Sequence, residues 1–164
     1  MAGGKSCRLC ITGLQYPPGV RIEPVATVQE VCAEYFYKNG SHYLFYEEQP
    51  EGCAAVLKTR VKRKGGRVEL CRQGVMAGTM VFEAGGRYRT EYPTPFGALL
   101  LDIVTESVEV AKEGHDDGLP EAESGGDTGG WLDVRIRYLL EDQGEVVGEY
   151  ELSIQKKPVC SHPT

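Results

Sequence analysis

The chain has no long hydrophobic run. No segment of its 164 residues approaches the roughly 20 consecutive apolar residues that a membrane-spanning helix needs. The N-terminal sequence MAGGKSCRLCITGLQY also lacks the apolar core of a secretory signal. We therefore expect a cytoplasmic protein with no membrane partner. In that compartment the six cysteines are expected to be reduced thiols.

The common signatures of enzymes are missing as well. The sequence contains no phosphate loop, dinucleotide fingerprint, nucleophile elbow or H-E-x-x-H motif. It has only three histidines, and the sequence pattern places none of them beside a nucleophilic side chain. We predict no catalytic residues and no cofactor, and an enzyme ranks last among the functions considered.

Helical periodicity is also scarce, whereas glycine is abundant, at 21 residues. Apolar residues recur instead with a period of two, which is typical of strands. We predict strands at 7–14, 32–38, 41–46, 54–61, 67–72, 79–83, 87–92, 99–110, 131–140 and 149–155, with a bulge allowed in 99–110. Short strands joined by glycine-rich turns indicate an all-β sandwich or barrel.

One hairpin can be predicted residue by residue. Asn39-Gly40 is a strong signal for a two-residue type I′ turn, because both positions tolerate positive φ. That turn would place Tyr37 opposite His42, Phe36 opposite Tyr43, and Tyr35 opposite Leu44. Aromatic residues would then lie on both faces of the hairpin.

The whole chain, 1–164, is predicted to form a single domain. Segment 113–130, EGHDDGLPEAESGGDTGG, is acidic, glycine-rich and nearly free of apolar residues, so we predict a mobile loop there. Residues 156–164 are predicted to be a short flexible tail. The stretch YPTPFG, 92–97, is predicted to turn the chain sharply at a barrel corner, because proline suits a strand end or edge and glycine permits a bulge.

A zinc site is a weaker hypothesis. Cys7, Cys10, Cys160 and His162 are ligand types that suit Zn²⁺. However, residues three apart in a strand point to opposite faces, so Cys7 and Cys10 could share a metal only in a turn. We predict no metal and read these cysteines as small apolar residues in and beside a strand.

A basic run at 58–67 suggests contact with phosphates through Lys62, Arg63, Lys64 and Arg67. Charged residues at a hairpin tip also keep the tip solvated or protect a sheet edge against pairing with another strand. The formal net charge of −6 argues against nucleic acid as the partner.

Several short motifs occur in an order that resembles the YwiB-like family of small bacterial proteins, a domain of unknown function. They are Tyr46-Glu47-Glu48, Leu57-Lys58, Arg72-x-Gly74, Met80-x-Phe82, Thr90-x-Tyr92-x-Thr94-Pro95-Phe96-Gly97, Thr105 and Tyr138-x-Leu140. The resemblance spans about residues 7–155. It implies a single antiparallel, calycin-like β-barrel of about eight to ten strands, similar to lipocalins, and it implies no known activity, substrate or cofactor.

A barrel of this size either fills its interior with side chains or holds one small ligand. The first hypothesis is therefore a protein that binds a small acidic or amphipathic molecule. The predicted anchors and walls are Lys58, Arg72, Arg89, Thr105, Tyr35, Tyr37, Tyr46 and Tyr92. The alternatives are that Lys58 and Arg72 only pair with Glu47 or Glu48, and that the basic run serves a protein- or nucleic-acid-interaction module. Either a monomer or a homodimer is compatible with the pattern.

Overall fold

The computed structural model describes residues 4–17, 23–48, 56–74, 78–94, 96–111 and 130–157. Within these ranges all regular secondary structure is β-strand, and no helix is present. The ten strands are β1 (Lys5–Tyr16), β2 (Val25–Lys38), β3 (Ser41–Glu48), β4 (Leu57–Lys64), β5 (Arg67–Gln73), β6 (Gly78–Glu83), β7 (Arg87–Thr94), β8 (Gly97–Val110), β9 (Val134–Asp142) and β10 (Glu145–Lys156). The predicted all-β class is confirmed.

The strands form one antiparallel sheet in the order β6-β5-β4-β3-β2-β1-β10-β9-β8-β7. The two edge strands, β6 and β7, come together, so the sheet is nearly closed into a barrel. At this seam the Thr90 hydroxyl donates to the Thr79 carbonyl oxygen at 2.7 Å. A side chain thus bridges the edges where no backbone ladder is formed.

The predicted β2–β3 hairpin is confirmed. Asn39 and Gly40 have φ angles of 51° and 80°, as a type I′ turn requires. The three predicted cross-strand pairs are observed, from Tyr37 opposite His42 to Tyr35 opposite Leu44. The β2–β3 ladder ends at Glu34. Toward the N-terminus of β2, the edge at 25–31 has no ladder partner on its β3 side among the described residues.

The bulge allowed in 99–110 is also present, as a shift of register between Thr105 and Ser107. The stretch predicted to be a corner is a hairpin instead. β7 and β8 are antiparallel neighbours, Thr94 pairs with Gly97, and Gly97 has a φ of 118°, which favours glycine. Pro93 lies on an edge strand of the sheet, where a missing donor is tolerated.

Alternate residues of each strand point into the barrel and form its core. The middle of the barrel is filled by fully buried aliphatic and aromatic side chains, among them Leu44, Val61, Val68, Phe82 and Ile103. Of the predicted loop 113–130 only Gly130 lies within the described residues. The predicted tail begins one residue too early, because β10 ends at Lys156, and its residues 158–164 lie outside them.

Two ends of the interior differ in their side chains. The Trp131 end is defined by Tyr35, His42, Arg63 and Trp131. The Arg72 end is defined by Gln29, Tyr46, Glu48, Thr59 and Arg72. On the β4–β5 hairpin, Arg63 lies beside the turn and Arg72 lies at the far end of β5. The buried apolar side chains in the middle of the barrel separate the polar groups at its two ends.

Candidate functional site

A buried carboxylate organises the Arg72 end. Glu48 shares a strand face with Leu44, so alternation along β3 directs it inward, and only 8% of the residue is exposed. Its carboxylate accepts hydrogen bonds from Thr59 Oγ1 at 2.6 Å, Gln29 Nε2 at 3.1 Å and Arg72 Nε at 3.4 Å. Three donors from three strands therefore hold one charge in place.

Arg72 is the partner of this carboxylate and is still reachable by solvent. Its side chain is 35% exposed, compared with 8% for Glu48. Only Nε donates to Glu48, and its two terminal nitrogens have no bond to any residue in the described part of the chain. A guanidinium held in this way presents two donors in a fixed fork, a geometry that matches a carboxylate or a phosphate.

Tyrosines lie beside Arg72. Burial raises the pKa of Tyr46 above its usual range, the Glu48 carboxylate raises it further, and Arg72 opposes the shift. Burial likewise raises the pKa of Tyr138, with Tyr150 and Tyr92 adding to the shift and Arg72 opposing it. Both phenols therefore stay neutral at physiological pH and can donate a hydrogen bond.

Two of these tyrosines form a stack that depends on a glycine. The rings of Tyr138 and Tyr150 lie 5.2 Å apart with an interplanar angle of 11°. A Cβ on Gly148 would stand only 2.7 Å from the Tyr150 ring. Gly148 lies at a shift of register in β10, and its missing side chain leaves room for the stacked ring.

Thr105 has a buried hydroxyl with no partner among the described residues. The residue is 2% exposed, it lies opposite Tyr138 in the ladder, and its Oγ1 makes no hydrogen bond within those ranges. Its backbone is fixed at the β8 bulge, because the Gly85 amide donates to its carbonyl and its own amide donates to Gly86. Buried hydroxyl groups in proteins usually have a hydrogen-bond partner, so the unsatisfied Thr105 hydroxyl beside Tyr138 is unusual.

The predicted ligand residues do not all lie together. Arg72 and Tyr46 meet at the Arg72 end, and Tyr92, 43% exposed, lies near Tyr138 and Tyr150. Lys58 is exposed on the outer face of β4 opposite Glu47, and Arg89 donates to Asp102 at 3.0 Å outside the barrel. The roles assigned to these residues stay predictions, and the predicted alternative of an Arg72–Glu48 pair is observed.

Two predicted wall residues lie at the other end. The Tyr35 hydroxyl and His42 Nδ1 are 2.8 Å apart, and the Tyr37 ring packs against His42 with centroids 4.8 Å apart. Gln29, Thr59 and Tyr150 are not among the predicted ligand residues, and Tyr138 enters the sequence analysis only in the family motif Tyr138-x-Leu140. Strand alternation could have placed Thr59 inside with Val61, but nothing in the sequence shows which strands face each other across the barrel.

The basic run is divided between the two faces of β4. Lys62 and Lys64 lie on the outer face, and the Lys62 ammonium stands 5.8 Å from the centre of the Tyr43 ring. Arg63 turns inward and is 6% exposed. Arg67 forms ion pairs with Glu69 and Glu83. The predicted nucleic-acid contacts are therefore not one continuous surface.

Within the described ranges, no three His, Cys, Asp or Glu side chains are grouped as a metal site would need. Cys7 and Cys10 lie on β1, whereas Cys160 and His162 lie outside those ranges. The same ranges contain no helix long and apolar enough to cross a membrane.

Comparisons with known proteins identify a family but no activity. A family model described as a domain of unknown function, DUF1934, matches residues 23–154. The crystal structure of the YwiB protein from Bacillus subtilis is similar at a TM-score of 0.62 and 17% sequence identity, covering 96% of each chain. At this identity the likeness shows the fold alone. No curated protein matches the sequence.

Proposed function

The chain belongs to the DUF1934 family, to which no activity is assigned, and we propose that it binds a small acidic or amphipathic molecule at the Arg72 end of its barrel. The observation that carries this proposal is the state of Arg72. Its guanidinium is fixed by a buried carboxylate through one nitrogen, and its terminal nitrogens are free of described partners and accessible to solvent. The acid group of the ligand would accept from those nitrogens.

Neighbouring groups suit the rest of such a ligand. The Tyr46 and Tyr138 phenols are neutral donors beside Arg72. The exposed apolar side chains of Tyr92 and Leu99, 43% and 46% exposed, would contact its apolar part. A few convergent polar groups among apolar surfaces are typical of small-molecule sites.

Native mass spectrometry after incubation with a metabolite extract tests the proposal. We expect wild type to retain compounds that carry a carboxylate or phosphate, and Arg72→Gln to lose them by roughly tenfold or more. Arg89→Gln is the matched control, because it removes the same charge from the outer face and should retain them. Equal retention by Arg72→Gln, or retention of neutral compounds only, would refute the assignment.

An interaction module is the second candidate. A groove of about 560 Å³ is lined by side chains that include Tyr43, Phe45, Lys58 and Arg60, and Phe45 is 42% exposed. Exposed rings next to cations suit stacking on single-stranded nucleic acid. Glu34 and Glu47 line the same groove, which weakens this candidate. Strongly salt-dependent RNA binding that is lost in Lys62→Gln would favour it over the ligand proposal.

The cellular setting and oligomeric state complete the proposal. We place the protein in the cytoplasm with reduced cysteines and propose a monomer or a homodimer. A second copy would pair along the β2 edge at 25–31, where Val25 and Val28 are 66% and 65% exposed. Light scattering over a range of concentrations distinguishes the two states, and Val28→Lys should remove a dimer formed at this edge.

A further inference from the structure

A separate cavity of about 490 Å³ opens at the Trp131 end. It lies where β1 extends past the last residue of β10 that pairs with it, Lys156. Its walls include Tyr35, Cys7 and Trp131, and Arg72 and Glu48 do not line it. The volume is in the usual range for small-molecule sites, about 300–1,000 Å³. The site proposed above and this cavity are therefore different places in the barrel.

The charged side chains that line this cavity are all basic. Lys5, Arg8, Lys156 and Lys157 line it, and no carboxylate is among its described lining residues. Arg8 and Lys157 are already bonded to Glu30, at 3.4 Å and 2.8 Å. The side chain of Lys156 has no such partner in the described part of the chain.

Lys156 is directed toward the cavity wall. It shares the inward strand face of Ile154, and its ammonium stands 3.3 Å from where a Cβ on Gly130 would lie. Burial raises the pKa of the Cys7 thiol, and Lys156 opposes that shift because its charge is close to the sulfur. One unpaired ammonium thus lies beside an apolar wall.

A second cation lies behind the same wall. Arg63 is 6% exposed, its guanidinium is 6.0 Å from the centre of the Trp131 ring, and its buried Nε has no hydrogen-bond partner in the described part of the chain. Its only hydrogen bond among the described residues goes from Nη1 to the Gly65 carbonyl oxygen at 2.9 Å. A buried cation without a carboxylate makes this end favourable for an anion.

We propose that this cavity binds a small organic anion with an aromatic or aliphatic body. The acid group would pair with Lys156, and the body would pack against Trp131, Tyr35 and Cys7. Most of the lining is apolar carbon with one free charge at its edge, which suits an amphipathic acid better than an inorganic ion. This inference does not rest on the function proposed for the Arg72 end.

The single tryptophan makes the cavity observable, because Trp131 is the only one in the chain. Titration with naphthoate, followed by tryptophan fluorescence, should show saturable binding. Naphthalenemethanol has the same ring system without the charge and should bind roughly fivefold more weakly. Lys156→Gln should weaken naphthoate by roughly fivefold and leave naphthalenemethanol unchanged. Lys62→Gln, the same change on the outer face of β4, should have no effect.

Residue-specific alkylation locates the probe. Saturating naphthoate should slow alkylation of Cys7, measured by peptide mass spectrometry, and leave Cys71 unaffected. Equal affinity for the two probes, no loss in Lys156→Gln, or no protection of Cys7 would each overturn the proposal. Loss of binding in Arg72→Gln but not in Lys156→Gln would place the probe at the other end and would overturn it as well.

Discussion

Two arginines inside the barrel differ in what surrounds them. Arg72 pairs with the buried carboxylate of Glu48, and its side chain is 35% exposed. Arg63 is buried, packs against Trp131 and has no carboxylate partner among the described residues. The same side chain is therefore partly exposed beside a carboxylate at one end, and enclosed by aromatic groups at the other.

Each end of the barrel is ordered by a different kind of contact. At one end the buried Trp131 ring packs into the core beside the cavity, and its indole N–H donates to the Ile154 carbonyl oxygen at 3.1 Å. At the other end the hydrogen-bonded carboxylate of Glu48 orders the polar side chains around it. We therefore expect loss of the Trp131 ring to act mainly on stability, and replacement of Arg72 to reduce both acid binding and, to a smaller extent, stability.

The largest effect is expected from Trp131→Ala. Removing a fully buried tryptophan should lower the free energy of unfolding by about 3–5 kcal/mol. Tyr92→Ala, at the exposed rim of the Arg72 end, should cost less than about 1 kcal/mol. Urea unfolding followed by circular dichroism measures both. Similar losses for the two variants would contradict the distinction between a buried aromatic side chain at one end and an exposed one at the other.

Glu48→Ala should cause the next largest loss of stability. It leaves Arg72, Thr59 and Gln29 without their acceptor, which should cost about 2–3 kcal/mol, because Arg72 can still be hydrated. Glu47→Ala changes a neighbouring exposed carboxylate on the outer face and should cost less than about 0.5 kcal/mol. If the two variants unfold at the same urea concentration, Glu48 does not organise this end.

The two arginines should respond with opposite signs to the same substitution. Arg63→Met replaces a buried cation that has no carboxylate by an apolar chain, and should be neutral or stabilising by about 1 kcal/mol. Arg72→Met leaves Glu48 buried without its cation and should destabilise by about 1–2 kcal/mol. Thermal and urea unfolding measure both changes. A loss of stability in Arg63→Met larger than that in Arg72→Met would contradict the account.

The smallest effect concerns alkaline pH. The pKa of Tyr46 is raised in the folded state by burial, so above about pH 10 the unfolded chain loses this proton first. Stability should therefore fall as pH rises past that value, by at most about 1.4 kcal/mol per pH unit for this group. Tyr46→Phe should make the fall shallower. An unchanged slope would mean that the phenol is not buried in solution.

Much of this fold could be predicted from local pattern. Asn39-Gly40 set the register of β2 and β3, and alternation could place Glu48 and Thr59 on the inner face. The contact between Gln29 and Glu48 could not be predicted, because it crosses a gap where the β2–β3 ladder has already ended. Contacts across a barrel depend on strand tilt and stagger, which no single strand encodes.

The dependence on strand placement also explains why the predicted ligand residues do not all lie together. Lys58 and Arg72 are both predicted anchors, yet they lie on opposite faces of the sheet. Lys58 points outward in the alternation along β4, whereas Arg72 pairs with the inward Thr59. Position in the ladder, rather than residue type, decides which cation reaches the interior.

The most direct test of the Arg72 end is a titration followed by nuclear magnetic resonance of arginine side chains. With octanoate, the Nε–Hε signal of Arg72, assigned from its absence in Arg72→Gln, should shift saturably, while the Arg89 signal stays in place. Octanol, which lacks the acid group, should leave the Arg72 signal unmoved. If octanoate fails to shift the Arg72 signal up to its solubility limit, or shifts the two arginines alike, the proposed acid-binding role of Arg72 is wrong.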